Sequence, residues 1–156
     1  MAVVAIEHVG STSVPGLAAK PIIDCDIVVA AEQVASASDG LVRLGFQPEG
    51  ELGIPQRWAF KEPSRLKGTN TYVVVDGSLA LRDHLRLRDA LRSDAELRER
   101  YGAVKKRVGA TARSVEEYGA GKNAVIQQIL AAAGLTDYER HEIDAPQVPA
   151  PGEVPR

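Results

Sequence analysis

Between residues 22 and 29 the chain reads Ile-Ile-Asp-Cys-Asp-Ile-Val-Val, an apolar strand interrupted by two aspartates. Side chains alternate along a strand, so Asp24 and Asp26 share one face and Cys25 takes the other. Two neighbouring carboxylates among apolar residues repel each other and resist burial. Any fold that accepts this strand must offset that cost. A divalent cation does so well, and Mg²⁺ is typically held by one or two carboxylates, waters and substrate phosphates. Pairing of both acids with buried arginines is the plainer alternative. Cys25 reads as a small buried hydrophobe.

The segment ahead of this strand strengthens the cation reading. Residues 3–9 (VVAIEHV) predict a short strand, and residues 10–16 (GSTSVPG) a tight loop rich in hydroxyls, closed by Pro15 and Gly16. Twelve residues separate the Gly10-Ser11 pair from Asp24. Glycine lets backbone approach a ligand closely. The hydroxyls of Ser11, Thr12 and Ser13, with nearby N–H groups, are suited to phosphate oxygens. A phosphate-holding turn beside a carboxylate pair is a layout for metal-assisted phosphoryl or nucleotidyl transfer. Lys20, just before the second strand, is either a further phosphate contact or a solvated lysine.

Downstream, residues 30–45 predict an amphipathic helix with Val34, Leu41, Val42 and Leu44 on its apolar side, ending at Gly45. Residues 46–55, with Pro48, Gly50, Gly53 and Pro55, read as turns. In 57–61 (RWAFK), Trp58 and Phe60 take one face of a strand; Arg57 and Lys61 take the other, placed either for phosphates or for solvent. Residues 69–76 predict another strand, on which Asp76 is the only acid; it is a candidate third metal ligand or an ordinary turn residue. Residues 79–92 predict a helix with a leucine stripe, with Arg88 and Arg92 on one face, read either as facing a nucleotide or as a solvated, salt-bridged surface, and His84 read as structural. Residues 94–110 predict the next helix, capped by Ser93 or Asp94, with Lys105, Lys106 and Arg107 as a solvated face. Ser114 and Glu117 form a capping box for a last helix to Gly134. Residues 139–156 are rich in proline and read as a disordered tail after a single domain, 1–138.

These elements predict an α+β fold: a small mixed sheet first, with helices from 79 onward packed as a bundle against it. With 156 residues, 44% of them hydrophobic, the chain suffices for one real core. A net charge of −2 carries no footprint for general nucleic-acid binding. One cysteine excludes an intrachain disulfide. With neither a basic leader nor an apolar run of membrane-spanning length, the expected location is cytoplasmic.

Gly-Ser, twelve residues, then Asp-x-Asp with apolar flanks resembles the signature of the polymerase-beta-like nucleotidyltransferase superfamily. More closely, IEHVGSTSVPGLAAKPIID resembles the GrpB family, and the likeness continues through GIPQRWAFK, HLRLRDALR and Tyr118/Lys122, over roughly residues 6–135. The resemblance implies that Gly10 and Ser11 hold a nucleoside triphosphate and that Asp24 and Asp26 hold Mg²⁺ (or Mn²⁺). Lys20, Arg57, Lys61 and Arg88 would neutralise phosphates, and the acceptor is unknown. Many GrpB-like chains carry a His-x-x-His-like pattern at the 69–76 strand, where this chain has Asn70 and Val73. That departure, and the fusion of such domains to a coenzyme A biosynthesis kinase, keeps a non-catalytic binding or accessory module open as the alternative.

Overall fold

The computed structural model describes residues 2–17, 19–111, 127–128 and 131. The predicted last helix with its Ser114/Glu117 cap, Tyr118, Lys122 and the tail fall outside the described stretches, apart from those three isolated residues.

Five strands form one mixed sheet: β1 (Val3–Val9), β2 (Ile23–Val29), β3 (Gln47–Gly50), β4 (Arg57–Lys61) and β5 (Thr69–Val75). Their spatial order is β1-β2-β5-β4-β3. β2 and β5 run parallel at the centre, and the other neighbouring pairs are antiparallel. Three helices complete the described fold: α1 (Val34–Arg43), α2 (Leu79–Ser93) and α3 (Ala95–Thr111). This is the expected α+β architecture.

Register assigns every strand residue to one of two faces. Asp24, Asp26 and Val28 lie beside Asn70, Tyr72 and Val74 of β5 and beside Val9, Glu7 and Ala5 of β1. Arg57 and Ala59 extend the same face across β4, opposite Val74 and Tyr72. α2 covers this face: Ala80 and Leu81 pack on Val28 and Val74, with Leu85 and Ala5 alongside. On the opposite face Val29, Val73 and Phe60 meet Ala37 and Leu41 of α1 and Phe46. Among the described residues the β1 edge of that face is left open, with Ile6 68% exposed.

The helices begin and end where local chemistry dictates. Ser78 caps α2 by accepting from the Leu81 amide at 3.3 Å, and Asp94 caps α3 by accepting from the Leu97 amide at 3.0 Å. α1 stops at Leu44, after which Gly45 takes a φ of 93°.

Residues 47–50, expected as part of a turn region, instead form β3. β3 is an edge strand paired only with β4, through a register shift between Pro48 and Gly50. An edge needs ladder hydrogen bonds on one side alone, so it tolerates a proline that lacks a donor.

Candidate functional site

The loop between β1 and β2 meets the aspartate face at its open end. Gly10 has a φ of 73°, a region that favours glycine. A side chain there would collide with the Asp24 carboxylate. The Gly-Ser turn and the first aspartate are therefore in direct contact, as the sequence spacing implied. Ser11–Ser13 make a single 3-10 turn.

The three hydroxyls divide their duties. Ser13 is buried and donates to the Gly10 carbonyl at 2.5 Å. Thr12 donates to the Ile22 carbonyl at 3.1 Å and accepts from His8 Nε2 at 2.9 Å, so that nitrogen carries the proton. Both hydroxyls brace the loop. Ser11 instead accepts from Lys105 Nζ of α3 at 2.5 Å.

The loop rests on the α2–α3 hairpin. Val14 is buried with Leu91, Leu97 and Tyr101, and Leu17 packs against them. Arg92 Nε donates to the Ser13 carbonyl at 2.8 Å.

The carboxylates are held from two sides. Asn70 Nδ2 donates to Asp24 Oδ1 at 2.9 Å, and His84 Nδ1 lies 2.7 Å from Asp26 Oδ2. Asp24 is half-buried, whereas Asp26 is 0% exposed and its Oδ1 has no hydrogen-bond partner. Arg57 is buried on the same face, with its guanidinium carbon 4.4 Å from the centre of the Tyr72 ring. Burial pulls the Arg57 pKa below its ordinary value, against the opposing pull of Tyr72, Asp26 and Asp24. On the far face of β2, burial foremost and the Asp26 charge second push the Cys25 thiol up.

His84, Arg88 and Arg92 follow one another at four-residue steps along α2, a polar ridge on one side of the helix. Arg88 Nη1 donates to Glu7 Oε2 at 2.7 Å and to the His8 carbonyl at 3.2 Å, while its Nε donates to Asp89 Oδ1 at 3.0 Å. Burial acts to lower its pKa, but the bonds to Glu7 and Asp89 outweigh burial and raise it. Arg88 thus ties α2 to β1 beside the site.

Other candidates stand apart. Asp76 is exposed and follows the end of β5, its amide donating to the Val29 carbonyl at 2.8 Å. Tyr72, not Asp76, is the neighbour of Asp26, and Asp76 stands four residue steps beyond Tyr72, about 13 Å along the chain. Lys61 is exposed at the other end of β4 from Arg57, and Lys20 is exposed just before β2.

Two residues that sequence reasoning placed elsewhere belong here. His84 was expected to be structural and Lys105 a solvated lysine, yet they touch Asp26 and Ser11. Sequence separations of 58 and 94 hide those contacts from any local pattern. The four-residue spacing of His84, Arg88 and Arg92 was the available signal.

A cation would find suitable ligands between Asp24 and Asp26. The buried Oδ1 of Asp26 is an acceptor in need of a partner, and Mg²⁺ takes oxygen ligands from few carboxylates. Among the described residues no three His, Cys, Asp or Glu side chains converge as a metal-binding group. Waters and phosphates would complete the coordination.

The family model described as GrpB protein matches residues 1–132. This chain belongs to the GrpB family. The UPF0157 protein YqkA of Bacillus subtilis is 35% identical over 127 residues, which cover 80% of this GrpB chain and 37% of YqkA. A UPF0157 protein of Streptomyces coelicolor is 37% identical over 133 residues, covering 83% of the chain and 68% of that protein. This GrpB chain thus spans well under half of the first relative and about two thirds of the second. The crystal structure of conserved protein GrpB from Enterococcus faecalis superposes with a TM-score of 0.70 at 32% identity, over 84% of this chain and 80% of that one. No helix among the described residues is long and apolar enough to cross a membrane.

Proposed function

We propose that this GrpB chain binds a nucleoside triphosphate together with Mg²⁺ (or Mn²⁺), with nucleotidyl transfer to an acceptor as the chemistry the site is suited to. The observation that carries the reading is the contact between Gly10 and the Asp24 carboxylate. It puts a glycine-hydroxyl turn, which suits phosphate oxygens, against a carboxylate pair, which suits a cation. The fold is consistent with that of the nucleotidyltransferase superfamily.

In this reading Gly10 and Ser11 hold the triphosphate, and Thr12 and Ser13 keep the loop in shape. Asp24 and Asp26 hold the cation. Lys20, which is exposed beside β2, and Lys105 supply positive charge toward the phosphates. Arg57 balances the aspartates from beneath, and Arg88 secures β1. When bound, the cation supplies charge stabilisation on the phosphate oxygens. An acceptor oxygen attacks the α-phosphorus, the bond to pyrophosphate breaks, and the acceptor proton passes to solvent.

Titration calorimetry of ATP, GTP, CTP and UTP, with and without Mg²⁺, tests this on the wild type and on Asp24→Asn/Asp26→Asn. Mg²⁺-dependent binding that disappears in the double variant supports it. Equal binding by both proteins removes the aspartates from the site.

One observation favours a second reading, a module that binds nucleotide without turning it over. Asp76 lies at the far end of β5, and Glu7, the carboxylate beside Asp26 on β1, is held by Arg88, so among the described residues no third metal-binding side chain joins the pair. Nucleotide binding without pyrophosphate release across a broad acceptor panel would select this reading.

A further inference from the structure

Asp26 sits in an unusual position. Its side chain is wholly enclosed, one oxygen is bound and the other is bare. Rotation about the last bond of an aspartate exchanges its two oxygens, and that rotation is broad and soft. A carboxylate serving as a ligand must keep one oxygen turned toward the ion, so free rotation would weaken the site. Metal ligands are commonly steadied by a hydrogen bond from a residue that does not itself touch the ion.

His84 is placed to do this. Its Nδ1 lies 2.7 Å from Asp26 Oδ2, and the oxygen left over is the buried, bare Oδ1. The imidazole is itself held. It leans on the Tyr72 ring, 6.5 Å between centroids at 57°. The helix that carries it is anchored by Leu81 and Leu85 against the Val28 and Val74 cluster. Asp24 is treated in the same way from another element, with Asn70 Nδ2 on its Oδ1 at 2.9 Å. Each acid thus has a hydrogen-bond partner from outside its own strand.

We infer that His84 is a positioning residue of the cation site: it donates from Nδ1 to Asp26 Oδ2 and so presents Oδ1 to an oxygen-seeking divalent cation. The inference rests on the cation reading above and goes beyond it, because it assigns the orientation of Asp26 to a helix that supplies no ligand. It also explains why a histidine alone on its helix, with no metal-binding partner one turn away, sits against the most enclosed acid among the described residues.

The test uses Mn²⁺ alone, followed by the loss of free-ion electron paramagnetic resonance signal as the full-length protein is titrated. Thermal unfolding is recorded in parallel. Four proteins are compared with the wild type: His84→Asn, His84→Leu, His84→Gln and the Asp24→Asn/Asp26→Asn control. Asparagine places an amide donor near the position of Nδ1. Leucine fills the space without a donor, and glutamine carries its amide beyond reach of Asp26.

The expected result is Mn²⁺ affinity weakened about tenfold or more in His84→Leu and His84→Gln, the usual cost of losing such a support. His84→Asn stays within about threefold of wild type on the same scale. Melting temperatures do not follow that order. Wild-type affinity in His84→Leu or His84→Gln overturns the inference while leaving the cation site standing, as does a loss in His84→Asn equal to theirs. Absence of Mn²⁺ uptake by the wild type, or undiminished uptake by the aspartate control, overturns the cation reading and this inference with it.

Discussion

The two faces of one sheet solve opposite problems with alternate residues of the same strands. On β2, Val29 and Ile27 turn toward α1 and join a dry cluster with Val73, Phe60, Ala37 and Leu41. Their neighbours Asp26 and Asp24 turn toward α2 and meet His84, Asn70 and the Gly10 loop. The first face gains its stability from apolar area removed from water. The second accepts a buried charge, a bare acceptor and a buried arginine. The contrast shows where evolution of the fold could tolerate cost: the α1 face anchors the sheet, and the α2 face uses the margin so gained.

The sharpest way to break this division is to put an acid on the wrong face. Val73→Asp places a carboxylate in the α1 cluster among Val29, Ala37, Leu41 and Phe60, with Trp58 opposite it on β4. We expect a loss above about 4 kcal/mol, enough to prevent folding, read as absence of a cooperative urea transition. A folded Val73→Asp protein would mean that the α1 face is wetter than its packing indicates.

Next in size is Gly10→Ala. The left-handed backbone and the overlap with the Asp24 carboxylate both oppose a methyl group. The expected destabilisation is about 1–3 kcal/mol by urea unfolding, with nucleotide affinity falling further than stability alone explains. Unchanged affinity would separate the loop from the aspartates.

The reciprocal test on the α2 face has a smaller effect and the opposite sign. Asp26→Asn removes a buried charge while keeping an oxygen for His84. Stability should stay within about 1 kcal/mol of wild type or rise, although the proposed cation site is lost. A large loss of stability would show Asp26 to be structural.

The smallest expected effect crosses the sheet. Burial, with help from Asp26, raises the Cys25 thiol pKa. An unfolded thiol therefore loses its proton first as pH rises, so this residue's contribution to stability declines through the alkaline range. Below that range Cys25 should react with a disulfide reagent more slowly than a free thiol does. Asp26→Asn should speed the reaction at fixed pH by removing the second cause. Identical rates in both proteins would confine the effect to burial.

Much of this was legible in the alternation of the strands. Period-two reading of 22–29 places both aspartates on one face, and the strand, loop and helix boundaries from 3 to 16 and from 57 to 93 agree closely with those observed. β3 was hidden because Pro48 and Gly50 signal turns, and only its pairing with β4 makes the segment a strand. His84 and Lys105 were hidden for another reason. A charged or polar helix residue looks solvated until the tertiary fold supplies what it touches. Arg88, read either as facing a nucleotide or as part of a salt-bridged helix surface, is engaged with Glu7 and Asp89, and only the fold supplies the first of these partners.

The support of the Gly10–Leu17 loop by the α2–α3 hairpin also sets an order of events during synthesis. Ser13 leans on a side chain 79 positions later, and Ser11 on one 94 positions later. A nascent chain that has cleared the ribosome through Val75 already holds all five strands of the described sheet, but not the surface on which the loop rests. At roughly 5–20 residues per second, the thirty residues to Lys105 take roughly 2–6 s more. Support for the loop is then acquired after the strands are complete, so a chain cut short in that interval would carry both aspartates without the surface that steadies the Gly10–Leu17 loop.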